Sequence, residues 1–396
     1  KNPLEDPVIH FYELFLHEYD SEMRMQRGVF YTPRPVVSFI VRSVDEKLRT
    51  IFGLEDGLAD ITTWSEMAER NNGLKLPKNV KPEDPFVQIL DPATGTGTFL
   101  VEVVELIHKK MVGKWEKGGK AQKEIEQLWN GYVSRHLLPR LYGYELLMAP
   151  YTIAHMKIGL KLHETGYQFT SDERARIYLT NSLEPPSDSQ IRLVGILPAL
   201  AHESQAVNKI KSHQHFTVVI GNPPYSGNSS NQGDWISNIL KNSISRDATS
   251  YFEYKGLPLD ERNTKWLNDD YVKFFRISQR LIDSSGVGIV GLITNHSWLD
   301  NPTFRGMRES LISTFPNVHV VDLHGNAKRK ETAPDGSKDE NVFEIQQGVA
   351  IALLSTAPDD KLILHGDLFG LRSHKYGQLF KCSVGEICQK EIIPDN

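Results

Sequence analysis

Cysteine is scarce in this sequence, and long apolar runs are absent. Cys382 and Cys388 are the only two cysteines among 396 residues, and their spacing matches no usual zinc-binding pattern. A chain of this size buries enough apolar surface to fold without disulfides, so free thiols in a reducing compartment are expected. No apolar run approaches the ~20 residues that a membrane-spanning helix needs. The sequence therefore favours a globular protein of the cytoplasm.

The chain also lacks the basic surplus that is typical of proteins that grip nucleic-acid phosphates. It carries 45 Lys and Arg against 50 Asp and Glu, which gives a net charge of −5. Any contact with nucleic acid must therefore come from local patches or from parts of a longer polypeptide. The charged N-terminal string KNPLEDPVIHF shows no signal-peptide pattern and fits an excised piece of such a polypeptide.

Short apolar runs alternate with helical patterns along most of the chain. The strand candidates are 85–90, the run ending at Tyr144, 175–179, 216–220, 286–293, 318–323 and 348–354. Strands that alternate with helices predict a mostly parallel sheet covered on both faces. The polar loop AKRKETAPDGSKDE joins the last two candidates without a helix, which favours an antiparallel pair. The sequence thus predicts an α/β fold with a seven-stranded, mostly parallel sheet whose last strand is antiparallel.

A glycine-rich turn follows the first strand candidate, where ligands bind in open α/β sheets. Its predicted cofactor-binding residues are Asp91, Pro92, Ala93, Thr94, Gly95, Gly97, Thr98 and Phe99. The glycines let the backbone approach a ligand without Cβ interference. The turn lacks the Lys-Ser/Thr ending of a P-loop and the third glycine of the dinucleotide fingerprint. Asp91 suits a ligand with positive charge and no phosphate, which is the chemistry of S-adenosylmethionine. An ordinary glycine turn is the alternative.

Polar residues at two further strand ends can reach the same ligand. Glu145 ends the string LYGYE, and an acid at this position commonly accepts from ribose hydroxyls in nucleoside-binding sheets. Asn181 and Ser182 follow the third strand candidate and are predicted to reach the adenine ring of the cofactor. Considered alone, an acid at this position is more often a solvated carboxylate at a strand end, but its register with the glycine turn favours cofactor binding.

The most specific motif is Asn222-Pro223-Pro224-Tyr225, which directly follows a buried strand candidate and Gly221. An aryl amine is a poor nucleophile because its lone pair is delocalised into the ring. The side-chain carbonyl of Asn222 and the backbone carbonyl of Pro223 can hold the two amine hydrogens and localise that lone pair. Tyr225 offers a flat face on which a flipped-out base can stack. The alternative is a loop with two prolines and a structural tyrosine.

Together these segments resemble the γ class of DNA methyltransferases that act on N6 of adenine. In that class a segment like GVFYTP (28–33) precedes the glycine turn, and the NPPY motif follows it. The resemblance implies the Rossmann-like class I fold of S-adenosylmethionine-dependent methyltransferases and cofactor contacts from Thr32 and Pro33. It also implies that Phe343, in the string NVFE, sandwiches the flipped adenine together with Tyr225.

The N-terminal string YELFLHEYDSEMRMQRGVFYTP most resembles the methylase module of single-chain type ISP restriction–modification enzymes. This resemblance implies action on double-stranded DNA in the bacterial cytoplasm, with nuclease, ATPase and target-recognition domains elsewhere in the parent chain. Residues 1–84 are predicted to form an N-terminal helical segment with an insertion, 85–370 the catalytic domain, and 371–396 the start of a linker. No metal site is predicted, because His213 and His215 lack companion ligands at suitable spacing.

Two other functions remain compatible with these motifs. A protein glutamine methyltransferase can present the same NPPY motif to a carboxamide nitrogen, although Phe343, the GVFYTP segment and the chain size favour DNA. The second alternative is a non-catalytic, methyltransferase-like scaffold that recognises DNA within a larger assembly and transfers no methyl group. Against a scaffold that has lost its activity stands the presence of the motif residues Asp91, Gly95, Gly97 and Asn222.

Overall fold

The computed structural model describes residues 32–71, 73–169, 173–186, 198–225, 229–261, 263–357 and 361–393. The chain divides into two compact units. We call residues 44–221 with 284–288 the turn unit, and residues 1–43, 222–283 and 289–396 the NPPY unit. The domain boundaries predicted after residues 84 and 370 stay predictions. None of the helices that the structure describes has the length and apolar character that a membrane span requires.

The turn unit contains a parallel sheet with the strand order β4-β1-β2-β3. Its strands are β1 (Ile89–Asp91), β2 (Leu141–Glu145), β3 (Arg176–Leu179) and β4 (Val218–Gly221). Ile89 pairs with Leu141 on one side and with Val218 on the other. Because these pairs are parallel, the carboxyl ends of β1, β2 and β4 lie at one edge of this sheet.

The turn unit also contains helices. They are α2 (Trp64–Arg70), α3 (Thr98–Lys117), α4 (Gln122–Tyr132), α5 (Met148–Glu164) and α6 (Pro198–His213), while α1 (Arg34–Thr50) begins in the NPPY unit and ends in the turn unit. Helix α3 begins after Gly97, whose φ of 79° lies in the left-handed region. It buries Leu100, Val103, Val104 and Ile107, a spacing that places one apolar stripe against the sheet.

The NPPY unit contains a mixed sheet with the strand order β7-β9-β8-β10-β11. The strands are β7 (Ile289–Asn295), β8 (Asn317–Asp322), β9 (Val349–Ser355), β10 (Leu362–Asp367) and β11 (Lys390–Glu391), beside a hairpin of β5 (Glu253–Tyr254) and β6 (Leu257–Pro258). Strand β9 is antiparallel to both β7 and β8, so the predicted antiparallel pair is confirmed. Strand β10 runs parallel to β8, and β11 runs antiparallel to β10.

The predicted α/β class with a mostly parallel sheet is confirmed, but the number of strands differs. The described residues contain nine strands besides the β5–β6 hairpin, because β10 and β11 follow the antiparallel strand. The helices of the NPPY unit are α7 (Asp234–Lys241), α8 (Asp270–Ser285, which ends in the turn unit), α9 (Arg305–Thr314), α10 (Arg372–Lys381) and α11 (Val384–Ile387). Helices α10 and α11 lie in the segment predicted to begin a linker, and they bury Leu379 and Val384.

Candidate active site

Asp91 ends β1 with a side chain that is buried and only partly satisfied. The residue is 1% exposed, and Oδ1 accepts a hydrogen bond from the Ala93 N–H at 3.0 Å. Among the described residues, no donor reaches Oδ2. Burial raises the pKa of Asp91 to about 8; the Ala93 N–H opposes this shift and the Glu145 carboxylate adds to it. A buried carboxyl group with one open oxygen fits a cationic group such as the ammonium of S-adenosylmethionine.

The backbone of the turn requires glycine for two different reasons. Gly95 and Gly97 both have positive φ, at 55° and 79°. A Cβ on Gly97 would lie 3.1 Å from the Cβ of Ala154 on α5, whereas a Cβ on Gly95 would meet no described atom within 4 Å. Thr94 closes the turn, since its Oγ1 donates to the Asp91 carbonyl at 2.9 Å. The space beside Gly95 leaves room for a ligand, and the close packing at Gly97 brings the turn against α5.

Glu145 connects the end of β2 to this turn. Its Oε2 accepts from the Gly95 N–H at 2.8 Å, and its Oε1 accepts from the Leu147 N–H at 2.7 Å. Burial raises the pKa of Glu145, while the same backbone donors oppose the rise. The structure therefore brings Glu145 to the predicted cofactor turn from 50 residues away.

The other predicted cofactor residues of this unit differ in their contacts. Ser182 Oγ donates to the Pro92 carbonyl at 2.5 Å, so Ser182 lies against the turn. The Asn181 amide is engaged locally, because it accepts from the Leu183 N–H and donates to Glu184. On α3, Phe99 is buried, and Thr98 Oγ1 accepts from Lys157 at 3.3 Å. The contact of Asn181 with the cofactor adenine stays a prediction.

The last residue of β4 packs against the carboxyl group of Asp91. A Cβ on Gly221 would lie 2.8 Å from Asp91 Oδ1, so no larger residue fits without a shift. Asn222 is the next residue in the chain. The NPPY motif thus begins one peptide bond after a residue that touches the cofactor turn.

Asn222 and Thr32 meet within the NPPY unit although 190 residues separate them. Asn222 Nδ2 donates to Thr32 Oγ1 at 3.0 Å, and the Pro33 carbonyl accepts from Val36 at the start of α1. Asn222 Oδ1 is shielded from solvent, and no described residue donates to it. Tyr225 is 3% exposed; burial raises its pKa, and the Asn222 amide opposes that rise. The amide oxygen of Asn222 is therefore open to a donor such as an amine.

Phe343 lies in the loop between β8 and β9, residues 323–348, which we call the Phe343 loop. The ring is buried, with 4% of the residue exposed, and its N–H donates to Asn341 Oδ1 at 2.8 Å. Asn341 Nδ2 donates to the carbonyls of Gly325 and Gln347. The predicted base-contact residue thus stands in a loop with fixed internal hydrogen bonds.

Sequence reasoning missed a cluster of titratable groups at the ends of β7, β8 and β10, of which His296, Asp322 and His324 are buried. His296 Nδ1 lies 3.1 Å from Asp322 Oδ1, and its Nε2 lies 3.1 Å from the Asn326 amide. His324 lies between Glu331 at 2.9 Å and Asp367 at 2.8 Å. Every ring nitrogen of both histidines therefore has a hydrogen-bond partner. The signal in the sequence was weak, because the members are spread over about 70 residues.

The fold is that of the class I methyltransferases, with the glycine turn at the end of β1, Glu145 at the end of β2 and the Asn-Pro-Pro-Tyr motif directly after β4. Residues 141–328 match the Eco57I restriction-modification methylase family. Residues 4–57 match the N-6 DNA methylase family. No curated protein matches the chain.

Solved structures of restriction–modification enzymes are similar over almost the whole chain. The ATP-dependent type ISP enzyme LlaBIII bound to DNA is 25% identical, with a TM-score of 0.71, over 100% of this chain and 24% of that one. The DrdV–DNA complex is 25% identical, with a TM-score of 0.68, over 97% and 32%. The type ISP enzyme LlaGI shares the fold at 23% identity and a TM-score of 0.66, over 97% and 28%. The predicted resemblance to an N6-adenine DNA methylase module is confirmed, and the chain spans about a quarter to a third of these proteins.

Proposed function

We propose that this chain is the modification module of a restriction–modification enzyme. It would transfer the methyl group of S-adenosylmethionine to the N6 amine of a flipped-out adenine in double-stranded DNA. The observation that carries the proposal is the buried Asn222 Oδ1, an acceptor without a described donor, at the start of the NPPY motif. The family matches and the two DNA-bound structures at 25% identity support it.

The residues present fit the cofactor by charge and by shape. The open oxygen of Asp91 would receive the ammonium group, and Glu145 the ribose hydroxyls. The space beside Gly95 leaves room for a ligand at the turn. When bound, S-adenosylmethionine supplies a methyl group made electrophilic by the sulfonium. The absence of a lysine at the turn agrees with a ligand that carries no phosphate.

At the target amine, Asn222 Oδ1 would accept one hydrogen and the Pro223 carbonyl the other. Holding both hydrogens draws the nitrogen toward tetrahedral geometry and concentrates its lone pair. Thr32 fixes the Asn222 amide by accepting from its nitrogen, which leaves the oxygen facing the substrate. With the cofactor bound, the nitrogen held in this way would bond to the methyl carbon, and the electron pair of the carbon–sulfur bond would stay on sulfur. One amine proton is then released to solvent, so no strong base is needed before attack.

Transfer of a tritiated methyl group to adenine-containing DNA, by the chain in its parent enzyme, tests the proposal. Asn222→Ala should lower turnover by about 10²–10³-fold, by analogy with other positioned catalytic groups, and change cofactor affinity only a few-fold. Asn263→Ala, which removes an exposed asparagine from the same unit, should leave turnover unchanged. Transfer to a release factor in place of DNA would identify a glutamine methyltransferase. Binding of DNA without any transfer would identify a scaffold.

The partners of this module also belong to the proposal. Double-stranded DNA is its substrate, and a nuclease, an ATPase and a target-recognition domain would be linked to it in one bacterial cytoplasmic protein. The support is that the chain matches 24–32% of two solved DNA complexes. The role of residues 371–396 as the start of a linker stays a prediction. It is tested by measuring how much of this segment folds together with α10.

A further inference from the structure

The segment 340–343 of the Phe343 loop has its backbone held by side chains of α10. Lys375 Nζ donates to the Glu340 carbonyl at 2.7 Å. Arg372 Nε donates to the Asn341 carbonyl at 2.8 Å, and Arg372 Nη2 donates to the Phe343 carbonyl at 2.9 Å. The Tyr376 hydroxyl donates to the Val342 carbonyl at 2.7 Å. Four consecutive carbonyls therefore accept from three side chains of one helix.

A fully buried ion pair supports these hydrogen bonds. Lys375 Nζ lies 2.8 Å from Asp339 Oδ1, and both side chains are 0% exposed. Asp339 also accepts from the N–H groups of Gly325 and Gly370, and Lys375 donates to the Leu323 carbonyl. A buried pair keeps its charges only where further hydrogen bonds satisfy both partners, as they do here. The pair thus fastens both sides of the Phe343 loop to the start of α10.

Arg372 acts nearest to the ring. Its planar guanidinium spans two carbonyls, which a lysine cannot do because an ammonium is a single point charge on a flexible stem. Its backbone N–H donates to Glu340 Oε2 at 3.1 Å. With its side chain about one third exposed, Arg372 can be replaced without emptying the core. Lys375 and Tyr376 would still hold Glu340 and Val342.

We propose that Arg372 is a positioning residue for the target base, acting through the backbone of Phe343. This inference rests on the proposed function and on the role that the family resemblance implies for Phe343, which is to stack on the flipped adenine. Fixing the carbonyls on both sides of Val342 sets the direction of the Phe343 ring before the base arrives. A preorganised stacking partner offsets part of the cost of taking a base out of the duplex.

The experiment compares methylation of a normal duplex with methylation of a duplex whose target adenine is mismatched. Arg372→Ala should lower kcat/KM on the normal duplex by about 5- to 150-fold, the range that loss of one base stack gives, and by less on the mismatched one. Arg372→Lys should lie between wild type and Arg372→Ala. Ser373→Ala, an exposed neighbour on α10, should change neither rate. Cofactor affinity should stay unchanged in all three variants.

A double-mutant cycle separates positioning from general stability. If Arg372 acts through the ring, Arg372→Ala should not change the duplex-to-mismatch ratio further in a chain that already carries Phe343→Ala. Tyr376→Phe, which removes only one hydroxyl, should give a smaller change of the same kind. Equal losses on both substrates, or additive effects of Arg372→Ala and Phe343→Ala, would overturn the inference. An unchanged ratio in Phe343→Ala alone would also overturn the inference, because it would show that Phe343 does not contact the base. A wild-type protein that methylates no adenine would refute the proposed function itself.

Discussion

Cofactor affinity should depend on pH through the single carboxyl group of Asp91. Burial raises the pKa of Asp91 to about 8 in the protein without ligand. An ammonium group beside the open Oδ2 favours the ionised form, so binding must first release the proton. The affinity for S-adenosylmethionine should therefore fall as the pH falls below 8.

The size of the effect follows from that pKa. At pH 7 only about one tenth of the molecules carry an ionised Asp91, and at pH 6 about one hundredth, because each pH unit is a factor of ten. The dissociation constant should thus be about tenfold higher at pH 6 than at pH 7, a range in which the ligand's amine stays protonated. Close to one proton should be released for each ligand bound. In the absence of ligand, the stability of the fold should fall as the pH rises from about 4 toward 8. Across this range Asp91 is ionised in the unfolded chain, whereas its raised pKa keeps it mostly protonated in the folded one.

Calorimetry in buffers of different ionisation enthalpy measures both quantities. Asp91→Asn keeps the shape of the side chain and removes the titration, so its affinity should be weak and flat with pH. The control ligand 5′-methylthioadenosine has no ammonium group, and its affinity for the wild-type chain should also be flat. A dissociation constant that is equal at pH 6 and pH 7 in the wild type, with no proton release, would refute the assignment of Asp91 to the cation.

Three further outcomes follow from the geometry. Gly97→Val should abolish cofactor binding, because φ is +79° and Ala154 lies 3.1 Å from the new Cβ; Gly113→Ala in the same helix, where a Cβ meets nothing within 4 Å, should keep binding in the same calorimetric assay. Gly221→Ala should lower both cofactor affinity and turnover, since its Cβ would press on the Asp91 carboxylate at 2.8 Å; a loss confined to turnover would contradict this. Burial lowers the pKa of His324, but hydrogen bonds to Asp367 and Glu331 outweigh it and leave the pKa raised. The stabilisation is then complete below the ordinary value of 6.5 and lost as the pH rises through the raised value, so thermal melts from pH 6 to 9 should show a decline that His324→Gln removes.

The sequence was informative where local pattern and chemistry coincide. The turn at Asp91 could be predicted because a buried strand, two glycines and a helical pattern follow one another within a few residues. The antiparallel pairing of β8 and β9 followed from a connection that is too polar to be a helix. The NPPY motif could be placed because its residue types serve one chemistry and directly follow a buried strand.

Strand β10 and the role of α10 could not be predicted in this way. Leu362–Asp367 has only three apolar residues in a row before His365 and Gly366, so its apolar run is too short to give a clear strand signal. In the string LRSHKYGQLFK, Arg372 and Lys375 look like residues of a solvated helix face. Their partners are backbone carbonyls about 30 residues away, and only tertiary structure brings these groups together.

If a recognition module follows this chain, as proposed above, the four carbonyls held by α10 set a limit on where that module can be exchanged. A junction placed before Arg372 would leave the four carbonyls without their side-chain donors and the carboxylate of Asp339 without Lys375. A buried acceptor that loses its partner costs about 1–3 kcal/mol, more where charge is involved. A junction placed after Lys381 keeps the whole set of donors with the loop they serve. The helix therefore belongs with the Phe343 loop as one structural unit, and in the proposed enzyme only a junction that respects this unit would leave the surroundings of Phe343 unchanged.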